Sequence, residues 1–385
     1  MDIILQPCKL SGTVAAPPSK SIAHRMLICA AFADNPTELL CGESGEDVKA
    51  TADCLQVLGA DIQRTVSGYV IQPIHRIPEH AILRCRESGS TLRFLLPIAG
   101  ALGLDAAFEL EGRLPQRPLS PLWEEMERMG CKLSRPNGSV IRCTGKLRPG
   151  HYRIDGSVSS QFVSGLMMAL PLIKGKTGLE ITGTVESKPY IDMTQSILDQ
   201  FSGAHPKQMV VEGDWSCAAF WLSANALGSS VKVEGLEENS VQGDRSVTAW
   251  LPKLENPFTI SAADIPDLIP VLSVVAAAKQ GAVFTDVARL RLKESDRVAA
   301  IVDMLSSLGG KAEAAEDTLT VYGTGLIGGS VNSFGDHRIA MSAAIAATVC
   351  NEPVTILGAE CVKKSYPGFW DEYARLGGNY EKQLR

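Results

Sequence analysis

The apolar and polar positions of this chain form a pattern that recurs six times. The stretches are "PPSKSIAHRMLICAAFA" (17–33), "RESGSTLRFLLPIAGAL" (86–102), "DGSVSSQFVSGLMMALPL" (155–172), "EGDWSCAAFWLSANAL" (212–227), "ADIPDLIPVLSVVAAA" (263–278) and "SFGDHRIAMSAAIAA" (333–347). Each opens on small, hydroxyl or charged residues and then turns to Ala, Leu and Met with no polar face. That composition predicts a helix buried on all sides. The leading Ser, Asp and Gly are residues favoured at a helix N-cap. About 30 residues after each comes a more amphipathic run: "VKATADCLQVLGA", "PLWEEMERMGC", "DMTQSILDQFSG", "VTAWLPKLEN", "VAAIVDMLSSLGG" and "FWDEYARLGGN". Most of these end at Gly, the usual residue just past a helix.

Short β-like runs separate the helices, among them "YVIQPI", "LEITG", "VKVEG", "AVFTDV", "LTVYG" and "VTILG". The chain therefore reads as six copies of one α/β unit of about 50–70 residues. Helices this apolar must be covered all round, which predicts helix bundles with sheets packed outside them, three units to a lobe.

Composition narrows the function. The 385 residues carry 37 basic and 43 acidic side chains, a net charge of −6. An acidic chain lacks the basic face that bulk nucleic-acid binding needs. Ten cysteines are scattered singly with no CxxC pair, which fits a reduced compartment with thiols serving as small apolar side chains. No apolar run reaches the roughly 20 residues of a membrane span, and the N-terminal stretch does not read as a signal peptide. The expectation is a soluble cytoplasmic protein. Three motifs are decoys. "GTGLIG" (323–328) is followed by "GSVNSF", which cannot open the helix a dinucleotide site requires. "NGS" (137–139) is a sequon without meaning in the cytoplasm. The six histidines include no metal-ligand spacing.

The remaining polar chemistry gathers at the helix starts. A helix N-terminus has free N–H groups and a partial positive charge, so it receives anions. The leading turns carry Ser19, Lys20, Ser21 and Arg25; Ser88, Gly89, Ser90 and Arg93; Ser159, Ser160 and Gln161; Asp267; and Asp336, His337 and Arg338. Neighbouring loops add Arg117, Ser187, Tyr190, Lys293, Glu294, Arg297, Lys363 and Lys364. Arg grips phosphate or carboxylate as a fork and Lys as a point charge, so the set suits a small polyanion. Asp267 and Glu294 stand among these cations, and paired acids are the usual equipment for moving protons.

In order along the chain, "PPSKSIAHR", "ESGSTLR", "SVSSQF", "SKPYID", "VEGDWS", "QGDRS", "IPDL", "LKESDR", "GDHRIAMS" and "CVKKSYPGF" resemble the motifs of the enolpyruvyl transferases that act on shikimate 3-phosphate. The resemblance implies a two-lobed α/β fold of six βαβαββ-type repeats, three per lobe, with buried helices and outer sheets. It implies a discontinuous first lobe, 1–18 plus 212–385, a second lobe, 19–211, and an active site in the cleft between them. The implied reaction moves the enolpyruvyl group of phosphoenolpyruvate to the 5-hydroxyl of shikimate 3-phosphate, without metal or organic cofactor, in a monomer.

By the same resemblance, Lys20, Gly89, Arg117, Gln161, Arg297, Arg338 and Lys364 bind phosphoenolpyruvate. Ser21, Arg25, Ser159, Ser160, Gln161, Ser187, Tyr190, Asp267 and Lys293 contact shikimate 3-phosphate. Asp267, Glu294 and Lys20 carry the proton transfers, and Arg93 and His337 lie in matching motifs. Three residues depart from the family pattern: Pro18 where Gly is common, Glu87 where an amide is common, and Arg289 where some members use Asn. Two other readings compete, a related transferase acting on UDP-N-acetylglucosamine and a non-catalytic anion-binding repeat protein. The first needs a reactive Cys loop with no clear counterpart here, and a scaffold has no need of paired acids.

Overall fold

A computed structural model describes residues 1–203 and 206–383. The six apolar runs form the helices Lys20–Ala31, Gly89–Leu102, Ser160–Ala169, Trp215–Ala226, Ile269–Ala278 and His337–Ala346, each buried along nearly its whole length. Side chains cap four of them: Ser88 accepts from Thr91 N–H, Ser159 from Gln161, Asp214 from Cys217 and Asp336 from Arg338. The leading polar residues thus satisfy backbone donors that the helix leaves open. Five of the amphipathic runs are single helices: Glu46–Val57, Leu122–Arg128, Lys188–Phe201, Arg297–Ser307 and Phe369–Arg375. The sixth, "VTAWLPKLEN", breaks into the short helix Val247–Trp250 and the 3-10 turn Leu251–Glu255, because Pro252 has no N–H to continue the ladder.

The chain divides into two compact units, residues 1–17 with 213–385, and residues 18–212. Pro18 and Glu212 go with the second unit. There Ser19 N–H donates to the Glu212 carbonyl at 2.8 Å, while Asp214 N–H donates to the Pro17 carbonyl at 2.7 Å in the first.

Each unit contains two four-stranded sheets of one design: a parallel pair, then two antiparallel neighbours. In residues 18–212 these are His80–Arg86, Asp105–Leu110, Val140–Gly145 and Cys131–Asn137, and Gln208–Val210, Thr37–Leu40, Gly68–Gln72 and Asp61–Arg64. In the other unit they are Phe258–Ser261, Ala282–Thr285, Thr318–Tyr322 and Lys311–Ala314, and Gly329–Asn332, Val354–Leu357, Asp2–Leu5 and Tyr380–Gln383. In three of the four sheets the parallel pair is joined through a buried helix, as a crossover demands; the fourth pairs Thr37–Leu40 with Gln208–Val210 from the far end of the unit's chain.

The third sheet of each unit is only a parallel pair, His151–Asp155 with Gly178–Thr182 and Ser11–Ala15 with Ser230–Glu234. Six copies of the repeat are therefore present, but among the described residues two show no closing hairpin of the kind the expected βαβαββ pattern includes. The chain between elements is too short for one: only Asn256 and Pro257 separate the turn ending at Glu255 from the strand starting at Phe258. The segment from Phe201 to Gln208 is similarly brief. "GTGLIG" joins the strand Thr318–Tyr322 to the strand Gly329–Asn332 and opens no helix.

Each unit has its own apolar core. In residues 18–212 the helices Gly89–Leu102 and Ser160–Ala169 cross closely. A Cβ at Gly165 would stand 2.3 Å from the Arg93 carbonyl oxygen, so no side chain fits there. In the other unit Trp221 stacks on Phe369 with ring centres 5.0 Å apart, and Trp370 meets Phe369 edge-on at 5.0 Å. Nine cysteines are buried and Cys8 is half-buried, all as thiols. No helix among the described residues is long and apolar enough to cross a membrane.

Phe369 is fully buried. Phe369→Ala is expected to destabilise the protein by about 3–5 kcal/mol, read from urea unfolding followed by tryptophan fluorescence. A loss below about 1 kcal/mol would remove this ring cluster from the core.

Candidate functional site

In the unit formed by residues 1–17 and 213–385, three buried helices bring their first turns together. Arg338, in the first turn of His337–Ala346, donates through Nη2 to Asp267 Oδ2 at 3.1 Å, and its Nη1 lies 4.0 Å from Cys217 Sγ. Asp267 stands just before Ile269–Ala278, and Cys217 is in the first turn of Trp215–Ala226. Arg297, which begins the helix Arg297–Ser307, completes the cluster. Its Nη1 donates to Asp267 Oδ1 at 2.6 Å, its Nη2 to Glu294 Oε2 at 2.7 Å, and its Nε to Asp336 Oδ2 at 2.8 Å. The Arg297 side chain is 1 % exposed and Asp336 is fully buried, whereas Asp267 and Glu294 keep 20 % each. The two candidate proton carriers are thus the accessible members of an otherwise sealed ion network. Lys364 donates to the Gly335 carbonyl at 2.8 Å, beside the same helix start.

The electrostatics follow from this crowding. Burial alone would raise the Asp267 carboxyl, but Arg338, Arg297 and Lys293 outweigh it and hold the group well below the usual carboxylate range. Burial pushes the Lys293 ammonium down to about 8; Asp267 opposes this, and Arg289 and Arg297 reinforce it. Burial also disfavours the charged form of Arg297, yet Asp336, Glu294 and Asp267 raise it well above its ordinary value.

A second cluster lies in residues 18–212. Lys20 opens its helix and pairs with Asp47 at 3.1 Å. Gly89 opens the next, and an added Cβ would meet Arg117 Nη1 at 2.5 Å and Arg93 Nη1 at 2.7 Å. The glycine is what lets two guanidinium groups lie against the helix start. Gln161 bridges to the third helix, accepting from Arg93 Nη1 at 2.9 Å and donating to Ser90 Oγ at 2.9 Å. Ser159 and Ser160 are the N-cap and first residue of that third helix. Ser21 follows Lys20, and its carbonyl accepts from Arg25 Nη1 at 2.7 Å.

Arg25 is buried and already occupied. Besides Ser21 it donates to Thr194 Oγ1 at 2.7 Å and to Ser164 Oγ and the Tyr190 carbonyl at 3.2 Å each, which uses all but one of the five guanidinium N–H groups. It thereby anchors the turn bearing Ser187 and Tyr190. Ser187 is buried and sits at φ +53°, in the left-handed region, where non-glycine residues are uncommon. Arg289 donates to the Ala263 carbonyl at 3.0 Å, tying its loop to the segment before Asp267. His337 is buried in the first turn of its helix. Glu87 is exposed, its carboxylate packed over Gly112. The predicted residues thus fall into two clusters, one within each unit.

Sequence reasoning did not single out the carboxylates Asp47 and Asp244. Asp336 was read as part of a helix start, yet it holds Arg297. Asp47 holds Lys20. Asp244, from the "QGDRS" motif, is buried and accepts from Ser216 Oγ. For Asp336 and Asp244 an acidic letter close to Arg was the available signal; Asp47, in "GEDVKA", had none. Among the described residues no group of three or more His, Cys, Asp or Glu could hold a metal ion.

The fold and the clustered charges define a two-unit α/β repeat protein with polar, cation-rich helix starts in each unit. A family model described as EPSP synthase (3-phosphoshikimate 1-carboxyvinyltransferase) matches residues 4–373. Proteins named 3-phosphoshikimate 1-carboxyvinyltransferase from Clostridium kluyveri and Clostridium acetobutylicum are 37% and 38% identical, covering 99% and 97% of this chain and 98% and 97% of their own. The structure is similar in fold to an EPSP synthase from Acinetobacter baumannii, with a TM-score of 0.78 over 99% of this chain and 100% of that one, at 23% identity. The chain belongs to the EPSP synthase family.

Burial pushes the Asp244 carboxyl up to about 7, with Asp267 adding to the rise and the Ser216 bond and Arg338 opposing it. The fold therefore holds this proton more tightly than the unfolded chain does. The resulting stability is complete below the ordinary carboxylate value and is lost as pH rises through about 7. Asp244→Asn carries no charge, so its stability relative to wild type is expected to climb between pH 4 and pH 7.5, by as much as about 4 kcal/mol. Denaturation midpoints at three pH values measure this, and a gap that stays constant would refute it.

Proposed function

We propose that this chain transfers the enolpyruvyl group of phosphoenolpyruvate to the 5-hydroxyl of shikimate 3-phosphate and releases phosphate, a step toward chorismate and the aromatic amino acids. The observation that carries the reading is Asp267 held between Arg297 and Arg338, with Glu294 on the same guanidinium as Asp267. A reaction that joins two polyanions needs cations to gather them, and one that adds and removes protons needs two acids within reach.

In this reading Lys20, Gly89, Arg117, Gln161, Arg297, Arg338 and Lys364 receive phosphoenolpyruvate. Ser21, Arg25, Ser159, Ser160, Gln161, Ser187, Tyr190 and Lys293 receive shikimate 3-phosphate, with Arg289 adding a fixed charge beside Lys293. Glu294, helped by Lys20, gives a proton to the methylene carbon of phosphoenolpyruvate, and cationic character develops at C2. The 5-hydroxyl oxygen attacks C2 while Asp267 takes its proton, giving a tetrahedral intermediate. Removal of a proton from the new methyl group then expels phosphate and restores the double bond, so each acid acts in both directions.

Without substrate, Asp267 is a weak base, because two arginines hold it ionised. Anionic groups arriving at Arg297 and Arg338 compensate those charges and raise the basicity of Asp267. The base thus gains strength only when the donor is in place. Both substrates are small anions and one chain carries every proposed residue, so this reading calls for a cytoplasmic monomer without nucleic-acid or membrane partners.

Phosphate release is expected only when both substrates are present. Release with UDP-N-acetylglucosamine in place of shikimate 3-phosphate, or no release with either, would overturn the assignment. Asp267→Asn is expected to keep substrate binding while lowering kcat about 10²–10⁴-fold; steady-state kinetics with calorimetric binding separates the two. A third expectation concerns Lys293. Its ammonium must be protonated to attract phosphate, so the KM for shikimate 3-phosphate should be flat below pH 8 and rise above it, up to about tenfold per pH unit. Lys293→Arg should abolish that rise, and an unchanged profile in the variant would dissociate Lys293 from the phosphate.

A further inference from the structure

We infer that His24 is a positioning residue, the closing member of a buried ring of hydrogen bonds that fixes Lys20 against the Gly89 helix start. The inference rests on the donor clamp assigned above. His24 lies in the first motif of the chain, but the proposed reaction gives it no task.

The ring can be followed bond by bond. His24 Nδ1 and Thr51 Oγ1 are 2.7 Å apart, and Thr51 Oγ1 and Thr91 Oγ1 are also 2.7 Å apart. Thr91 Oγ1 lies 2.7 Å from Ser88 Oγ and 3.3 Å from the Asp47 carbonyl. The Asp47 carboxylate then holds Lys20 Nζ at 3.1 Å. Lys20 and His24 are four residues apart on one helix, so they share a face, and the helix backbone closes the loop. His24, Thr51, Thr91 and Ser88 are all fully buried.

Three helices meet in this ring: Lys20–Ala31, Glu46–Val57 and Gly89–Leu102. Thr91 and Ser88 flank Gly89, against which Arg117 and Arg93 lie. A shift in the ring therefore moves Lys20 relative to those two guanidinium groups. Burial holds the imidazole neutral, and the Lys20 and Arg25 charges add to that. Its other nitrogen, Nε2, has no hydrogen-bond partner among the described residues, and the imidazole meets Phe94 edge-on with centres 6.4 Å apart. A buried N–H left unpaired is rarer than an unpaired acceptor. The proton therefore belongs on Nδ1, which donates to Thr51; Thr51 donates to Thr91, and Thr91 to Ser88 or the Asp47 carbonyl. A residue that only filled space at this point would need none of these bonds.

The test uses the full chain with His24→Leu, His24→Asn, Thr51→Val and the double variant His24→Leu/Thr51→Val. Thermal unfolding and steady-state kinetics are measured for each. His24→Leu and Thr51→Val should each raise the KM for phosphoenolpyruvate about tenfold and lower kcat as well, since Lys20 also assists Glu294, with the KM for shikimate 3-phosphate unchanged. His24→Asn, whose amide reaches the Nδ1 position, should recover most of the loss. The double variant should be no worse than either single one, since both cut the same ring. A lowered melting temperature with wild-type KM values would reduce His24 to packing and overturn the inference, as would an equal rise in both KM values. If His24→Leu does not fold, the isosteric Thr51→Val decides alone. A wild-type protein inactive with both substrates would instead sink the assigned reaction. Calorimetric titration with phosphoenolpyruvate would then read the ring, and equal affinity in wild type and Thr51→Val would end it.

Discussion

One guanidinium, that of Arg297, organises its unit. It is sealed from water and shared by Asp267, Glu294 and Asp336, carboxylates that stand on three different segments of chain. A charge in that position must be paired, because an unpaired buried ion costs far more than the fold can supply. The pairing fixes where the loop before Ile269–Ala278, the start of His337–Ala346 and the turn at Glu294 lie relative to one another. Removing one partner of such a pair typically costs about 3–5 kcal/mol, though an apolar replacement of the whole set is often no less stable. Stability is therefore a poor explanation for the network. Its product is geometry: two accessible acids held at known distances from two arginines.

The apolar helix bodies make that geometry possible. A helix with no polar face can only lie inside, and when three lie inside one unit their ends must be dealt with. Capping by Asp214 and Asp336, or by Ser88 and Ser159, satisfies some N-terminal donors. The remaining positive potential of the helix ends favours carboxylates there, and Asp267 and Asp336 occupy such positions. In residues 18–212 a chain of hydroxyls ending in an imidazole links the helix starts, beside the Lys20–Asp47 ion pair and the guanidinium groups of Arg93 and Arg117. Carboxylate–arginine pairs organise one unit's helix starts, and in the other a hydroxyl chain stands beside the charges.

This difference marks the limit of what could be read from the sequence. The six buried helices were legible because their composition is apolar all round, which leaves one possible location. Strands such as "LTVYG" and "VTILG" were legible between them for the same reason of periodicity. The absent hairpins were legible too, had the residues between Glu255 and Phe258 been counted; the repeat pattern invited six complete copies instead. The division of labour among polar residues was hidden. A serine that caps and a serine that binds are the same letter, and Arg25, placed among the ligand contacts by its motif, spends most of its donors on Thr194, Ser164, Ser21 and Tyr190. The partners of these bonds lie between 4 and 169 residues away, and no local pattern announces them. Asp336 was legible as part of a helix start but its pairing with Arg297 was not, and Asp47, an acid at the start of an amphipathic helix, reads as a surface charge until Lys20 is seen beside it.

A site whose charges are already paired selects its ligand by replacement. An anion that binds Arg297 or Arg338 must compete with Asp267, and one bearing a single charge offers little that the carboxylate does not already give. A ligand with two acidic groups is different, because one can meet each guanidinium and the second binds without further loss of freedom. Internal pairing thus lowers the affinity for every anion but lowers it most for small single charges such as chloride or acetate. In the proposed reaction the same competition would free Asp267 from its clamp when the donor arrives. On the proposed reading, selectivity for a phosphate-and-carboxylate donor and activation of the base would both follow from one arrangement, the exchange of partners at two arginines.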